Sequence, residues 1–171
     1  MTGTLRHQER TALMGMAVFI ASWAMLFAAL FFAYGSSRLR AVSWPPSDLP
    51  ALPLALPALA TGLLGASSGL LHRARGRAAV LGAAGLGLAF LLLQAVVWRQ
   101  MYLGGLRPQA GAYASFFFAL TVFHALHVLV GLGALAWLAA RPRPLSLRLW
   151  TIYWHMVGVI WGAMFLLVYV L

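Results

Sequence analysis

Five long apolar stretches, divided by short links rich in Arg, Pro and Gly, make up the hydropathy pattern of the chain. They fall at about 11–35, 51–71, 78–103, 113–139 and 149–171. Crossing the hydrocarbon core of a bilayer takes about 20 apolar residues in a helix. The pattern therefore predicts an all-α, polytopic membrane bundle of five transmembrane helices, in a single membrane domain over residues 1–171. The fourth stretch, YASFFFALTVFHALHVLVGLGALAWLA, contains no Asp, Glu, Lys or Arg, yet it holds His124 and His127. A spacing of three puts both rings on one helix face. Polar groups at membrane depth cost free energy unless they look inward at a partner. This stretch is expected at the centre, with the other spans around it.

The links carry their own signals. Pro45, Pro46 and Pro50 stop a helix after the first span, and Trp44 suits a headgroup interface. Pro53 and Pro57 are expected in the first turns of span 2, where proline is least costly. Gly65 with Gly69, and Gly158 with Gly162, form small-xxx-small pairs that permit close helix contact. Arg73, Arg75 and Arg77 crowd one tight turn, and Arg141-Pro142-Arg143-Pro144 makes another. Phe116-Phe117-Phe118 and Trp154 read as packing and interface residues.

Composition agrees with lipid as the solvent. Of 171 residues, 63% are hydrophobic and 8% charged, against roughly a quarter charged in a soluble domain. So much apolar surface cannot be buried inside a globule this small. The net charge of +10 comes entirely from arginine. Because the arginines sit in links between spans, they suit topology control and lipid headgroups, and nucleic acid is not an expected partner. With the N-terminus inside, Arg6, Arg10, Arg73, Arg75, Arg77, Arg141, Arg143 and Arg148 lie on the cytoplasmic side. Arg38, Arg40, Arg99 and Arg107 lie outside, so the bias predicts N-in and C-out. The polar start MTGTLRHQER lacks a secretory pattern, and the apolar run after it is expected to be a retained span. With no cysteine, disulfides and thiolate metal sites are excluded.

His124, His127 and His155 are the candidate chemistry. One reading is haem or metal ligation by neutral imidazole. The other is interhelical hydrogen bonding, with Thr121, Ser67 or Ser68 as partners, and lipid headgroup contact for His155. Depth speaks against haem. His127 stands roughly 18 Å from the inner end of span 4, His155 only about 9 Å from that of span 5. His72 lies at the inner edge, so no pair on different spans is expected to match. The only acids, Glu9 and Asp48, fall in the tail and a loop. Ion-coupled pumps place acids within the membrane, and the chain shows no pattern of paired broken helices. No catalytic constellation appears.

The segment Tyr113-Ala-Ser-Phe-Phe-Phe-Ala-Leu-Thr-Val-Phe-His124-Ala-Leu-His127-Val-Leu-Val-Gly131 resembles the histidine helix of subunit III of haem-copper oxidases. Three further pieces agree in order. Gly15-Met-Ala-Val-Phe-Ile-Ala-Ser opens a span ending Phe31-Phe32-Ala33-Tyr34. Trp44-Pro45-Pro46 with Pro50 is similar to the family's next loop. Tyr153-Trp154-His155-Met156-Val157 is similar to the start of its last helix. The resemblance covers nearly the whole chain, in the short, five-helix form.

This resemblance implies a non-catalytic accessory subunit of a bacterial terminal oxidase in aerobic respiratory electron transport, in the inner (plasma) membrane. It implies no cofactor in this chain, with haem and copper in partner subunits I and II. It also implies packing against subunit I and the holding of phospholipids. On that reading His124, His127, His155, Trp154, Arg73, Arg75 and Arg77 are structural or lipid-contacting residues, not catalytic or metal-binding ones. Two departures stand out: Trp23 takes the place of the family's glutamate in the first span, and Gly158 that of an acid in the last. The accessory protein of nitric oxide reductases shares the scaffold and is an alternative; a small membrane cytochrome b and a small transporter are more distant ones.

Overall fold

The computed structural model describes residues 2–47 and 49–171, with side chains from His7 onward. The loop acid Asp48 and the Arg6 side chain lie outside the described residues. The chain forms α1 (Thr2–Arg40), α2 (Ala55–His72), α3 (Arg77–Leu103), a short 3-10 turn (Pro108–Ala110), α4 (Ala112–Ala140) and α5 (Pro144–Phe165). α5 runs on into a π-helical turn over Leu166–Val170, closed by the Leu171 amide donating to the Leu166 carbonyl. All five helices are long and apolar enough to cross a membrane.

Two helix starts differ from expectation, each because of where proline sits. α2 begins at Ala55, so Pro53 precedes the helix and only Pro57 lies in its first turn. α5 begins at Pro144, five residues before the expected start. Its ring presets a helical φ and its missing N–H is not needed at a helix entry. The extended Arg143 immediately before it (φ −133°, ψ 123°) leads the chain in.

α2 packs against α3 and α5, α3 against α4, and α4 against α5, which closes a four-helix ring; α1 lies along the α4–α5 seam. The centre is thus a pair of helices rather than α4 alone. α5 earns that place with Tyr153, Trp154 and Trp161, among the largest fully buried side chains. Room for Trp154 is made by Gly87 on α3 and Gly131 on α4. A Cβ at Gly87 would stand 2.7 Å from its ring, and one at Gly131 closer still. Real atoms do not approach so closely, so both positions require glycine.

The expected small-xxx-small contacts are not made inside the chain. A Cβ at Gly65, Gly69, Gly158 or Gly162 would meet nothing within 4 Å. These glycines face outward. α1 runs 39 residues, about 58 Å, nearly twice the hydrocarbon thickness. Of its described side chains only Phe27 and Tyr34 are fully buried. The loop after α1 folds back over the bundle end through Trp44, whose indole N–H donates to the Tyr34 hydroxyl at 3.1 Å and whose ring stands against Tyr113.

Candidate functional site

The histidines lie in three different settings. α4 presents both of its histidines inward, because its buried residues cover most of its circumference. His124 is enclosed by Phe27, Phe90 and Trp161, with ring centroids 6.3, 5.7 and 5.2 Å away. Neither ring nitrogen has a hydrogen-bond partner among the described residues. The expected bond to a neighbouring span is therefore not formed there. The helix faces opposite His124 supply aromatic rings where a hydroxyl would be needed.

One turn on, His127 bonds within its own helix: its Nδ1 lies 2.5 Å from the Phe123 carbonyl oxygen. It does not bond across spans. Its ring meets Trp23 of α1 edge-on, with centroids 3.2 Å apart. The Tyr153 hydroxyl donates to the His127 backbone carbonyl at 2.9 Å, tying α5 to α4 at the same level. Trp23 also stands against Phe19 and Tyr153. The position where an acid was expected is thus part of an aromatic cluster.

Of the three candidate histidines, only His155 makes interhelical side-chain bonds among the described residues. Its Nδ1 pairs with the Ser68 hydroxyl, and its Nε2 lies 3.3 Å from Nδ1 of His72. Two histidines on different spans therefore do share a depth, contrary to expectation. The cause is the stagger of α5 against α2. His155 stands about 16 Å above Pro144, so the first turns of α5 reach past the end of α2 and bring His155 level with His72. Those projecting turns carry Arg148, which pairs with Glu9 of α1 at 3.0 Å. Gly158, one turn beyond His155, opens onto a groove of about 460 Å³ between α2 and α5, lined also by Thr61, Gly65, Ser68 and Gly69.

Ser67 and Thr121 do have interhelical partners, but these are tryptophans. Trp154 Nε1 donates to Ser67 Oγ at 3.0 Å, and Ser67 donates to the Ala83 carbonyl of α3 at 2.7 Å. Trp161 Nε1 donates to Thr61 Oγ1 at 2.8 Å, and Trp98 Nε1 to Thr121 Oγ1 at 2.9 Å. These bonds escaped the sequence reading although a signal was present. A buried indole N–H needs an acceptor, and the spans offer few hydroxyls. Trp154 itself is a core residue and not a lipid contact.

The basic turns converge. Arg75 and Arg77 from the α2–α3 link and Arg143 from the α4–α5 link line a cleft of about 300 Å³, with Val80, Leu138 and Leu147 as apolar wall. Arg73 is exposed beside the first link and is not part of the lining. Arg143 also lies over the Trp137 ring at 5.9 Å. Guanidinium groups above an apolar wall match a phosphate on an acyl chain. Among the described residues, no group of three or more His, Asp or Glu is placed to hold a metal ion.

The family model for cytochrome c oxidase subunit III matches residues 5–171. Curated relatives agree along the same length. Cytochrome c oxidase subunit 3 of Synechocystis sp. is 31% identical over 92% of this chain and 74% of its own. That of Thermostichus vulcanus is 34% identical over 92% and 86%. A probable cytochrome c oxidase subunit 3 of Mycobacterium tuberculosis is 30% identical over 91% and 85%.

Proposed function

The chain belongs to the cytochrome c oxidase subunit III family, and from that premise we propose that it is a non-catalytic accessory subunit of a bacterial terminal oxidase. It binds subunit I, steadies it, and holds phospholipid at its surface. Haem and copper belong to the partner subunits I and II, and the complex sits in the inner membrane with the N-terminus of this chain inside. The observation that carries the reading is a family match extending from residue 5 to residue 171, across all five spans. The relatives are named as cytochrome c oxidase subunits, which does not favour the nitric oxide reductase, cytochrome b or transporter readings.

Two surfaces support the binding roles. The cleft of Arg75, Arg77 and Arg143 offers charge and apolar wall together to an anionic lipid of the inner leaflet. The outward glycines Gly65, Gly69 and Gly158 leave a groove that an acyl chain or a partner's helix can enter.

The test is extraction of the native complex in mild detergent, with the co-purifying chains identified by mass spectrometry. An oxidase subunit I recovered in equal amount is the expected result. Recovery of a nitric oxide reductase chain, or of no stoichiometric partner, would overturn the proposal.

A further inference from the structure

The His72–His155 pair brings two imidazole nitrogens from different spans face to face, at a separation that a hydrogen bond or a shared metal ion can fill. The two facing nitrogens, Nδ1 of His72 and Nε2 of His155, are 3.3 Å apart. Two imidazole nitrogens at about 2.0–2.1 Å from one tetrahedral ion are separated by about 3.3–3.4 Å. The rings are tilted by 49° with centroids 5.4 Å apart, so they converge without stacking.

The surroundings complete the pattern. The other nitrogen of His155 meets the Ser68 hydroxyl. A ligating histidine usually gives its second N–H to such an oxygen, which fixes the tautomer and leaves the opposite lone pair free. His72 is exposed at the end of α2, so its Nε2 can carry the remaining proton into water while Nδ1 turns its lone pair inward. The exposure of His72 on the open side of the pair leaves room there for water to fill the other coordination positions.

We propose that His72 and His155 form a two-histidine site for a divalent transition-metal ion, Zn²⁺ or Cu²⁺, at the inner ends of α2 and α5, with Ser68 orienting His155. Imidazole selects these ions over Mg²⁺ and Ca²⁺, which prefer oxygen. The cationic Arg73 next in sequence opposes added positive charge, which further restricts the site to ions that bind imidazole strongly. Both histidines bind as neutral bases, so no redox or covalent step is involved. The bound ion pins the last turn of α2 to α5, beside the Ser68–His155 contact.

The experiment uses the full chain without an affinity tag, in lipid nanodiscs, titrated with Cu²⁺ and read by pulsed electron paramagnetic resonance. The expected result is one ion per chain with hyperfine coupling to two imidazole nitrogens. His72→Asn and His155→Asn each remove that signal, His7→Asn leaves it intact, and Ser68→Ala weakens binding about 10–100-fold. Zn²⁺ raises the Tm of the unaltered chain and not that of His72→Asn. The nitrogen count is read on the unaltered chain, so it stands whatever a variant does to folding. No saturable binding, coupling to a single nitrogen, or binding that survives both His72→Asn and His155→Asn overturns the site.

Discussion

Trp23 of α1 stands edge-on to His127 of α4, and this contact joins the peripheral helix to the central pair. In the family resemblance the same position carries a glutamate. Here an indole fills the space, and His127 satisfies one nitrogen on its own helix at Phe123 instead. In this chain the position packs against Phe19 and Tyr153.

Trp23→Ala therefore loosens α1. Trp23 is half-buried, so the expected loss is about 1–3 kcal/mol, below the cost of a fully buried tryptophan. Thermal unfolding of the chain in detergent measures it. Trp23→Phe retains part of the contact and is expected to fall between. An unchanged Tm for Trp23→Ala would show that α1 is held elsewhere.

The inward and outward glycines should behave oppositely. Gly131→Ala drives a methyl group into the Trp154 ring, and the buried indole has no free space to move into. Overpacking of this kind costs about 1–3 kcal/mol. Gly65→Ala meets nothing within the chain and leaves the Tm of the isolated protein unchanged. Gly65→Leu is expected to leave the isolated chain folded while lowering recovery of the oxidase complex, which is read by the yield of co-purified subunit I.

Ser67→Ala removes the acceptor for Trp154 Nε1 and the donor to the Ala83 carbonyl in one step. Ser67 is fully buried. Leaving a buried indole N–H unsatisfied costs about 1–3 kcal/mol. The Tm reports the loss, and the double variant Ser67→Ala, Trp154→Phe should lose less than the two single losses added, because the donor has gone with its acceptor.

The basic cleft predicts a lipid effect with no stability effect. Replacing Arg75, Arg77 and Arg143 together by Gln removes three charges that have no carboxylate partner among the described residues. At about 1 kcal/mol per charge, affinity for an anionic phospholipid falls about a hundredfold. Native mass spectrometry of the chain with bound lipid follows the change, and retention of lipid by the triple variant would place the lipid elsewhere.

Orientation is open to direct test because the chain has no cysteine of its own. A membrane-impermeant thiol reagent added outside intact cells should label Ala110→Cys, in the turn before α4, and not Ala74→Cys, in the α2–α3 link. The reverse pattern would invert the topology.

The spans were legible because a run of about twenty apolar residues admits no other reading. Their inner ends were less so. Pro144 can end a link or begin a helix, and local sequence does not decide between them. That ambiguity propagated to the site. A helix starting at residue 149 level with the end of α2 places His155 deeper than His72; the structure instead runs α5 past the end of α2 and makes the two neighbours. Which histidine finds a partner depends on the vertical stagger of α2 against α5, a property of neither helix alone. The orphan state of His124 was hidden for the same reason, since Phe90 and Trp161 come from other spans.

The outer position of α1 bears on how the protein is made. α1 precedes α4 and α5 in the chain, yet it docks on the seam between them. Until those helices are in place it lacks that seam, and a polar group without a partner at membrane depth is costly. Between residues 13 and 33 its one hydroxyl, Ser22, donates to the Val18 carbonyl of its own helix at 2.9 Å. A carboxylate at position 23 would have faced hydrocarbon unpaired throughout that interval, at a cost of several kcal/mol. With tryptophan there, the nascent helix is at home in the bilayer from the moment it arrives.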